Sequence, residues 1–146
     1  TKWDLVEDKA RRHKGIADEL DLKMAQIHFV PGVTISNVTR QRLFNVFEYI
    51  DRVYEQTRKR IPTAEMNKFI EEIKVTHKPP SQKGKHAKIL YGTQVSIKPT
   101  TFVLFVNQTR LFHFSYLRFL ENQLREKFGF EGVPIKLELR EGKSRE

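Results

Sequence analysis

Eight basic residues share one stretch of this chain: Lys74, Lys78, Lys83, Lys85, Lys88, Lys98, Arg110 and Arg118, with no Asp or Glu between Glu72 and Glu121. A run of one-signed charge attracts polyanions, phosphate backbones above all, and speeds their encounter. The same composition also fits a solvated surface kept basic for solubility. The chain of 146 residues has a net charge of +9, and residues 60–146 hold +7 of it, so the charge sits in the second half. Other chemistries find little material. There is no Cys, which excludes disulfides and thiolate metal sites. The five His are scattered, and His77 and His86 most simply extend the basic stretch. No Ser/His/Asp set or carboxylate pair can be assembled. Tyr91, Phe102, Phe105, Phe112, Phe114, Tyr116 and Phe119 can stack on bases. At strand and helix spacing, however, the Phe residues, Phe114 included, are expected in the core.

The elements that must position these residues can be read from periodicity. Ile16, Leu20 and Met24 recur at helical spacing within residues 5–24, and Gln26–Val30 alternates as a short strand ending at Pro31–Gly32. Residues 39–59 predict an amphipathic helix with Leu43, Val46, Phe47, Ile50, Val53 and Tyr54 on one face, started by Asn37 or Thr39. Ile61–Pro62 is the expected domain boundary, giving residues 1–60 and 61–146. Thr63 is expected to cap a helix whose apolar face is Met66, Phe69, Ile70 and Ile73. A flexible loop, Ser81–His86, follows. Strands are expected over Lys88–Val95 and Thr101–Asn107, a helix over Ser115–Phe128 ended by Gly129, and a strand over Pro134–Arg140. The second part thus reads α-β-β-α-β, an α+β domain with helices on one face of a three-stranded sheet. The first part reads as an incomplete α/β layer. No apolar run approaches the roughly 18 residues that span a membrane. The charged start is no signal peptide, and together with the missing Cys it points to the cytoplasm. Thr1, where Met would stand, is expected to be a cut or processed end.

Two short motifs lie in the first part. Thr1-Lys2-Trp3-Asp4 resembles the guanine-specificity motif Asn-Lys-x-Asp of GTPases. There the carboxylate accepts hydrogen bonds from the N1–H and exocyclic amine of guanine. Thr34-Ile35-Ser36 resembles the second guanine-contacting loop, with Asn37 where Ala is usual. Thr1, Lys2, Asp4, Ser36 and Asn37 are therefore the candidate guanine-binding set. A phosphate-binding loop is missing: Gly84-Lys85 is followed by His86, and Gly142-Lys143-Ser144 has Leu137 where Gly is required. This chain alone is expected not to hydrolyse GTP.

The run His113-Phe114-Ser115-Tyr116-Leu117-Arg118-Phe119-Leu120-Glu121-Asn122-Gln123-Leu124-Arg125-Glu126-Lys127-Phe128-Gly129-Phe130-Glu131-Gly132-Val133-Pro134-Ile135 resembles the C-terminal signature of the bacterial Der (EngA) GTPase family. Pro79-Pro80, Gly84-Lys85, Lys88-Ile89, Gln94 and Pro99 through Asn107 fit the same pattern, with Thr100 in place of a usual Pro. The resemblance implies a KH-like domain preceded by the tail of a second GTPase domain. It further implies a parent that uses GTP and magnesium, while this chain carries no cofactor or metal of its own. The implied role is in maturing the large ribosomal subunit, with ribosomal RNA and the parent's own GTPase domains as partners and no membrane. A monomer is expected. Ordinary KH domains clamp single-stranded RNA with a Gly-x-x-Gly loop, and Asn107–Phe114 has no Gly. Phosphate contacts are then the expected mode, carried by Lys78, Lys83, Lys85, Lys88 and Lys98, with Arg118, Asn122 and Arg125 as a second patch on one helix. A GTPase domain docking on the same basic face is the alternative.

Overall fold

A computed structural model describes residues 2–24, 27–82 and 84–142, without the side chains of Asp21 and Gln82. The chain divides into two compact units. The first comprises residues 1–56 together with Glu131–Val133, and the second residues 57–130 with 134–146.

The second unit is built around a buried strand. Helix α3 (Thr63–Thr76) buries Met66, Phe69, Ile70 and Ile73, the spacing of a single helical face. Its N-cap is Pro62, with Thr63 already helical, so the expected Thr63 cap is not formed. The Thr63 hydroxyl instead meets that of Thr93 at 3.1 Å. The stretch expected as a loop forms a small antiparallel ribbon, β1 (Ser81–Gln82) with β2 (Lys85–His86). Its turn includes Gly84 at φ 76°, a conformation that glycine adopts without strain. Strand β3 (Ile89–Ile97) pairs antiparallel with β4 (Thr100–Val106), and β4 pairs parallel with β5 (Ile135–Glu141). The order is β3-β4-β5. Every residue of β4 is buried except the half-buried Phe105, which explains its nearly unbroken apolar sequence. A parallel pair needs a long crossover, and α4 (Phe114–Phe128) supplies it, burying Leu120 and Leu124. Phe69 meets Phe128 edge-on at 5.6 Å, so α3 and α4 touch. This is the expected α+β arrangement.

The edge strand β3 is protected by side chains. Asn67 Oδ1 accepts from the Gly92 N–H at 2.9 Å. The buried Gln94 amide accepts from Ile61 N at 2.7 Å and donates to Lys59 O at 3.1 Å. Its polar atoms are thus satisfied as burial requires. Helix α4 ends at Gly129, φ 88° and ψ −115°, and Phe130 follows at φ 70°. The left-handed conformation of a non-glycine residue costs roughly 1–2 kcal/mol. Full burial of Phe130 edge-on against Phe102, ring centroids 5.8 Å apart, offsets it.

The first unit has no strand among its described residues. A 3-10 turn (Trp3–Leu5) leads to α1 (Lys9–Lys23), whose N-cap Asp8 accepts from Arg11 N at 3.0 Å. The strand expected over Gln26–Val30 is not formed over Ile27–Val30, and Gln26 lies outside the described residues. A strand needs a lateral partner. Here the backbone bonds locally instead, Ile27 N to Met24 O at 2.8 Å and Val30 N to Ile27 O at 2.9 Å. The helix expected from residue 39 begins only at α2 (Asn45–Thr57), because Arg40 and Arg42 take φ of 58° and 57°. No residue of α2 is buried, and Phe47 is 61% exposed along with Ile50 and Tyr54. Glu131–Val133 crosses α2 at Val53, with Gly132 N donating to Phe29 O at 2.8 Å and Arg52 paired to Glu131 at 2.9 Å.

Two outcomes follow. In Gly92→Ala, the new Cβ would stand 2.7 Å from Ile70 Cδ1 and 2.8 Å from Leu104 Cδ2. Overpacking of this kind costs about 1–3 kcal/mol, to be read as a lower urea midpoint at unchanged slope. In segment-resolved hydrogen exchange, amides of α1 and α2 should exchange well before those of β4, since few buried apolar contacts hold them. Equal protection in both would contradict the exposed α2 face.

Candidate nucleic-acid interface and guanine loop

Two segments that are distant in sequence meet in the first unit. Trp3 is buried, and its backbone N–H donates to Ile35 O at 3.1 Å. This brings Asp4 beside Ser36, whose buried hydroxyl donates to Asp4 Oδ1. Ser36 Oγ in turn accepts from Thr39 N at 3.3 Å, and Ser36 N donates to Gln41 O at 3.2 Å. The hydroxyl bond is the main reason that the Asp4 carboxyl is held below its ordinary 3.8, with Lys9 and Lys2 adding smaller attractions. An ionised carboxylate has about four acceptor sites, so Asp4 can hold Ser36 and still accept two donors. Lys2 is exposed, with backbone φ 63°, and Asn37 is exposed in the following turn. Thr1 lies outside the described residues. Among the described residues, no group of three or more His, Cys, Asp or Glu gathers as a metal site.

In the second unit the basic residues divide between the two ends of the sheet. Lys78, Lys85 and Lys88 are exposed at the end where β3 starts. Ala87 N donates to Pro80 O at 2.9 Å, which ties the ribbon to the segment after Lys78. Asn107 fixes the junction, accepting from Lys88 N and donating to His86 O, both at 2.8 Å. Exposed Arg110 follows β4 at this same end, in a 3-10 turn (Thr109–Leu111). Lys98 is exposed too, but in the turn joining β3 to β4. At about 3.3 Å per residue, the length of β3 puts it roughly 30 Å from Lys88. Lys83 lies outside the described residues.

The helical patch is only partly realised. Arg118 and Asn122 are exposed on α4. The Arg125 side chain is 9% exposed, pairs with Glu121 at 2.9 Å and donates to Phe130 O at 2.9 Å. Arg125 is thus a structural residue that closes the end of α4 and not the phosphate contact expected of it. Lys59 also donates to Phe128 O there. Phe114, expected in the core, is 77% exposed as the first residue of α4. Beyond it, Tyr116 packs on Phe112 and Phe119, and Phe119 lies 4.6 Å from the His77 ring. Half-burial pushes the Tyr116 hydroxyl up to about 12, so it stays a donor, to His77 O at 3.3 Å. The sequence reading also missed the stacked pair of Tyr91 and Phe105. Its signal was register: two aromatic residues at facing positions of an antiparallel pair.

Helix, two antiparallel strands, a crossover helix and a third strand parallel to the middle one define a KH-like domain. Residues 60–140 match the family described as KH-domain-like of EngA bacterial GTPase enzymes, C-terminal, and the chain belongs to that family. Similar curated proteins are GTPase Der of Caldanaerobacter subterraneus subsp. tengcongensis, 48% identical over 92% of this chain and 30% of the relative, and GTPase Der of Alkaliphilus metalliredigens, 45% identical over 99% of this chain and 33% of the relative. GTPase Der of Desulfitobacterium hafniense is 41% identical over 96% of this chain and 32% of the relative. The chain spans about a third of the length of these relatives. No helix among the described residues is long and apolar enough to cross a membrane.

The Asp4–Ser36 bond can be tested directly. Ser36→Ala should raise the Asp4 titration midpoint toward 3.8, followed by the carboxyl carbon resonance in NMR. Because the folded value is depressed, the stabilisation is complete above pH 4 or so and is lost as pH falls through the folded midpoint. An unmoved midpoint would show that the hydroxyl is not its cause.

Proposed function

We propose that this chain is the RNA-facing part of a GTPase that acts in assembly of the large ribosomal subunit, working in the cytoplasm. Residues 61–146 form the KH-like binding module in this reading, and residues 1–60 are the end of a GTPase domain. The observation that carries it is the exposed end of the sheet that gathers Lys78, Lys85, Lys88 and Arg110, with Glu141, which accepts from Thr109, as an acidic residue at that end. The place that holds a Gly-x-x-Gly clamp in ordinary KH domains is here a 3-10 turn with buried Leu111 and Phe112. Backbone clamping of single-stranded RNA is not available to it. The module then contacts phosphates and reads shape in ribosomal RNA, with little sequence preference. Arg118 and Asn122 extend the contact along α4, and Lys98 belongs to a separate contact. Arg125 has no part in it.

In the same reading, Lys2, Asp4, Ser36 and Asn37, with Thr1, are the base-recognition half of a guanine site. Asp4 would accept from guanine's N1–H and exocyclic amine. Phosphate binding, magnesium and hydrolysis would belong to the intact parent. The parent's GTPase domains are the second partner, favoured by the threefold greater length of the relatives.

RNA affinity against salt concentration tests the main reading. Each phosphate contact contributes about 0.7–0.9 to the slope of log affinity on log salt. Replacing Lys83, Lys85 and Lys88 together with Ala should weaken several RNAs alike and flatten the slope by about 2–3. Phe114→Ala should leave the thermal midpoint unchanged, since the ring is 77% exposed. A triple variant with unaltered affinity and slope would move the assignment to the GTPase domains as partner.

A further inference from the structure

We propose that the β3 edge of the sheet carries a stacking site for a nucleobase of single-stranded RNA, with Tyr91 as its platform and Lys88 as the phosphate anchor. The inference rests on the RNA-binding reading above and adds to it a contact with a base. Tyr91 and Phe105 face each other across β3 and β4. Their rings are stacked, with centroids 4.3 Å apart and planes at 15°. Rings that stack face to face from neighbouring strands stand up from the sheet. One face of Tyr91 is therefore taken by Phe105. The other points off the sheet, because β3 is an edge strand with β4 as its neighbour. Tyr91 keeps 45% of its surface exposed. Phe105 behind it holds the ring upright, so a base that stacks on the open face need not order it.

Next to Tyr91, Leu90 lines a cleft of about 390 Å³ together with Lys74, Pro79, Ala87, Lys88 and Ile89. Its walls are apolar and its rim is basic. Lys74 is engaged by Glu71 at 2.6 Å, so the phosphate falls to Lys88, with Lys85 on the adjoining ribbon. Strand β3 itself, Ile89–Ile97, carries no charge, so no side chain along this edge repels a base. An upright, half-exposed aromatic face three residues along the chain from the exposed Lys88 suits an extended polyanion with π-faces. The site needs no glycine clamp, and it lies on the edge opposite β5.

The test compares binding of short oligoadenylate and of duplex RNA by the full chain and its variants, using fluorescence anisotropy. Stacking on one aromatic is worth about 1–3 kcal/mol, so Tyr91→Leu should weaken oligoadenylate binding about tenfold. Duplex binding and the salt slope should stay the same, because duplexed bases offer no free face. Tyr91→Phe should keep the affinity, and Lys88→Gln should lower the slope for oligoadenylate by about one. In Tyr91→Trp, oligoadenylate should quench the new indole, which reports stacking even if the Leu variant folds poorly. Wild-type affinity in Tyr91→Leu, or an unquenched Tyr91→Trp, would overturn the site and leave the pair to a protein contact. If the unaltered chain binds neither RNA, the broader RNA reading fails first and the site fails with it.

Discussion

The burial of β4 is the constraint on which the second unit depends. One seven-residue strand, Thr100–Val106, pairs with β3 on one side and β5 on the other, and Leu104 lies against Gly92 and, through it, α3. The missing Cβ of Gly92 lets Ile70 and Leu104 close over it. The antiparallel side is made by a tight turn at Lys98–Pro99, but the parallel side requires a crossover, and α4 is that crossover. Its end is pinned by Arg125 and Lys59, which donate to the Phe130 and Phe128 carbonyls, and by Phe130 driven into the core beside Phe102. The cost of a positive φ at Phe130 is accepted because it seats a large ring at zero exposure.

The same constraint decides which residues are left for binding. A sheet with α3 and α4 packed together leaves its ends for polar work, and on the β3 edge, where Asn67 and Thr63 of α3 bond Gly92 and Thr93, it leaves the half-exposed Tyr91. Lys78, Lys85, Lys88 and Arg110 occupy one end and Lys98 the other, so a count of basic residues overstates what one ligand can meet. A linear window of positive charge folds into two places because β3 and β4 run antiparallel, carrying the chain away and back.

Much of this was legible in the sequence, and the failures share physical causes. Helices α3 and α4 and strands β3, β4 and β5 were read correctly because their apolar period matches an element that is buried. Where burial is absent, the period misleads. Gln26–Val30 alternates like a strand but has no strand beside it, and residues 39–44 continue the apolar pattern of α2 while Arg40 and Arg42 break the helix. Phe114 extends the stripe of Leu117, Leu120 and Leu124, yet it is the first residue of α4 and its ring lies open. Arg125 lies seven residues from Arg118 and shares its helical face, but it donates to the carbonyl of Phe130 and pairs with the carboxylate of Glu121, which draws it inward. The composition of Ser81–His86 points to a loop, and composition does not register that Ser81 and His86 can pair across Gly84. A family pattern puts Asp4 and Ser36 in one candidate guanine-binding set but says nothing of a bond between them; in the structure that bond follows from Trp3, whose burial and bond to Ile35 O align the two segments.

Charge and shape contribute differently to the proposed interface. Coulombic attraction to Lys85 and Lys88 acts over about 8–10 Å and weakens with salt; it draws in any phosphate chain and discriminates little among them. Selectivity between single-stranded and duplex RNA must come from groups that act only at contact. Among the described residues of this unit, exposed groups of that type include two aromatic side chains, Tyr91 backed by Phe105 and Phe114 at the start of α4. They differ in stiffness. Phe114 is 77% exposed and has more rotamer freedom to lose when it binds, whereas Tyr91 is already stacked on Phe105. In the proposed interface, an ordered ring on the β3 edge is for that reason the stronger determinant of what is retained once charge has brought it close.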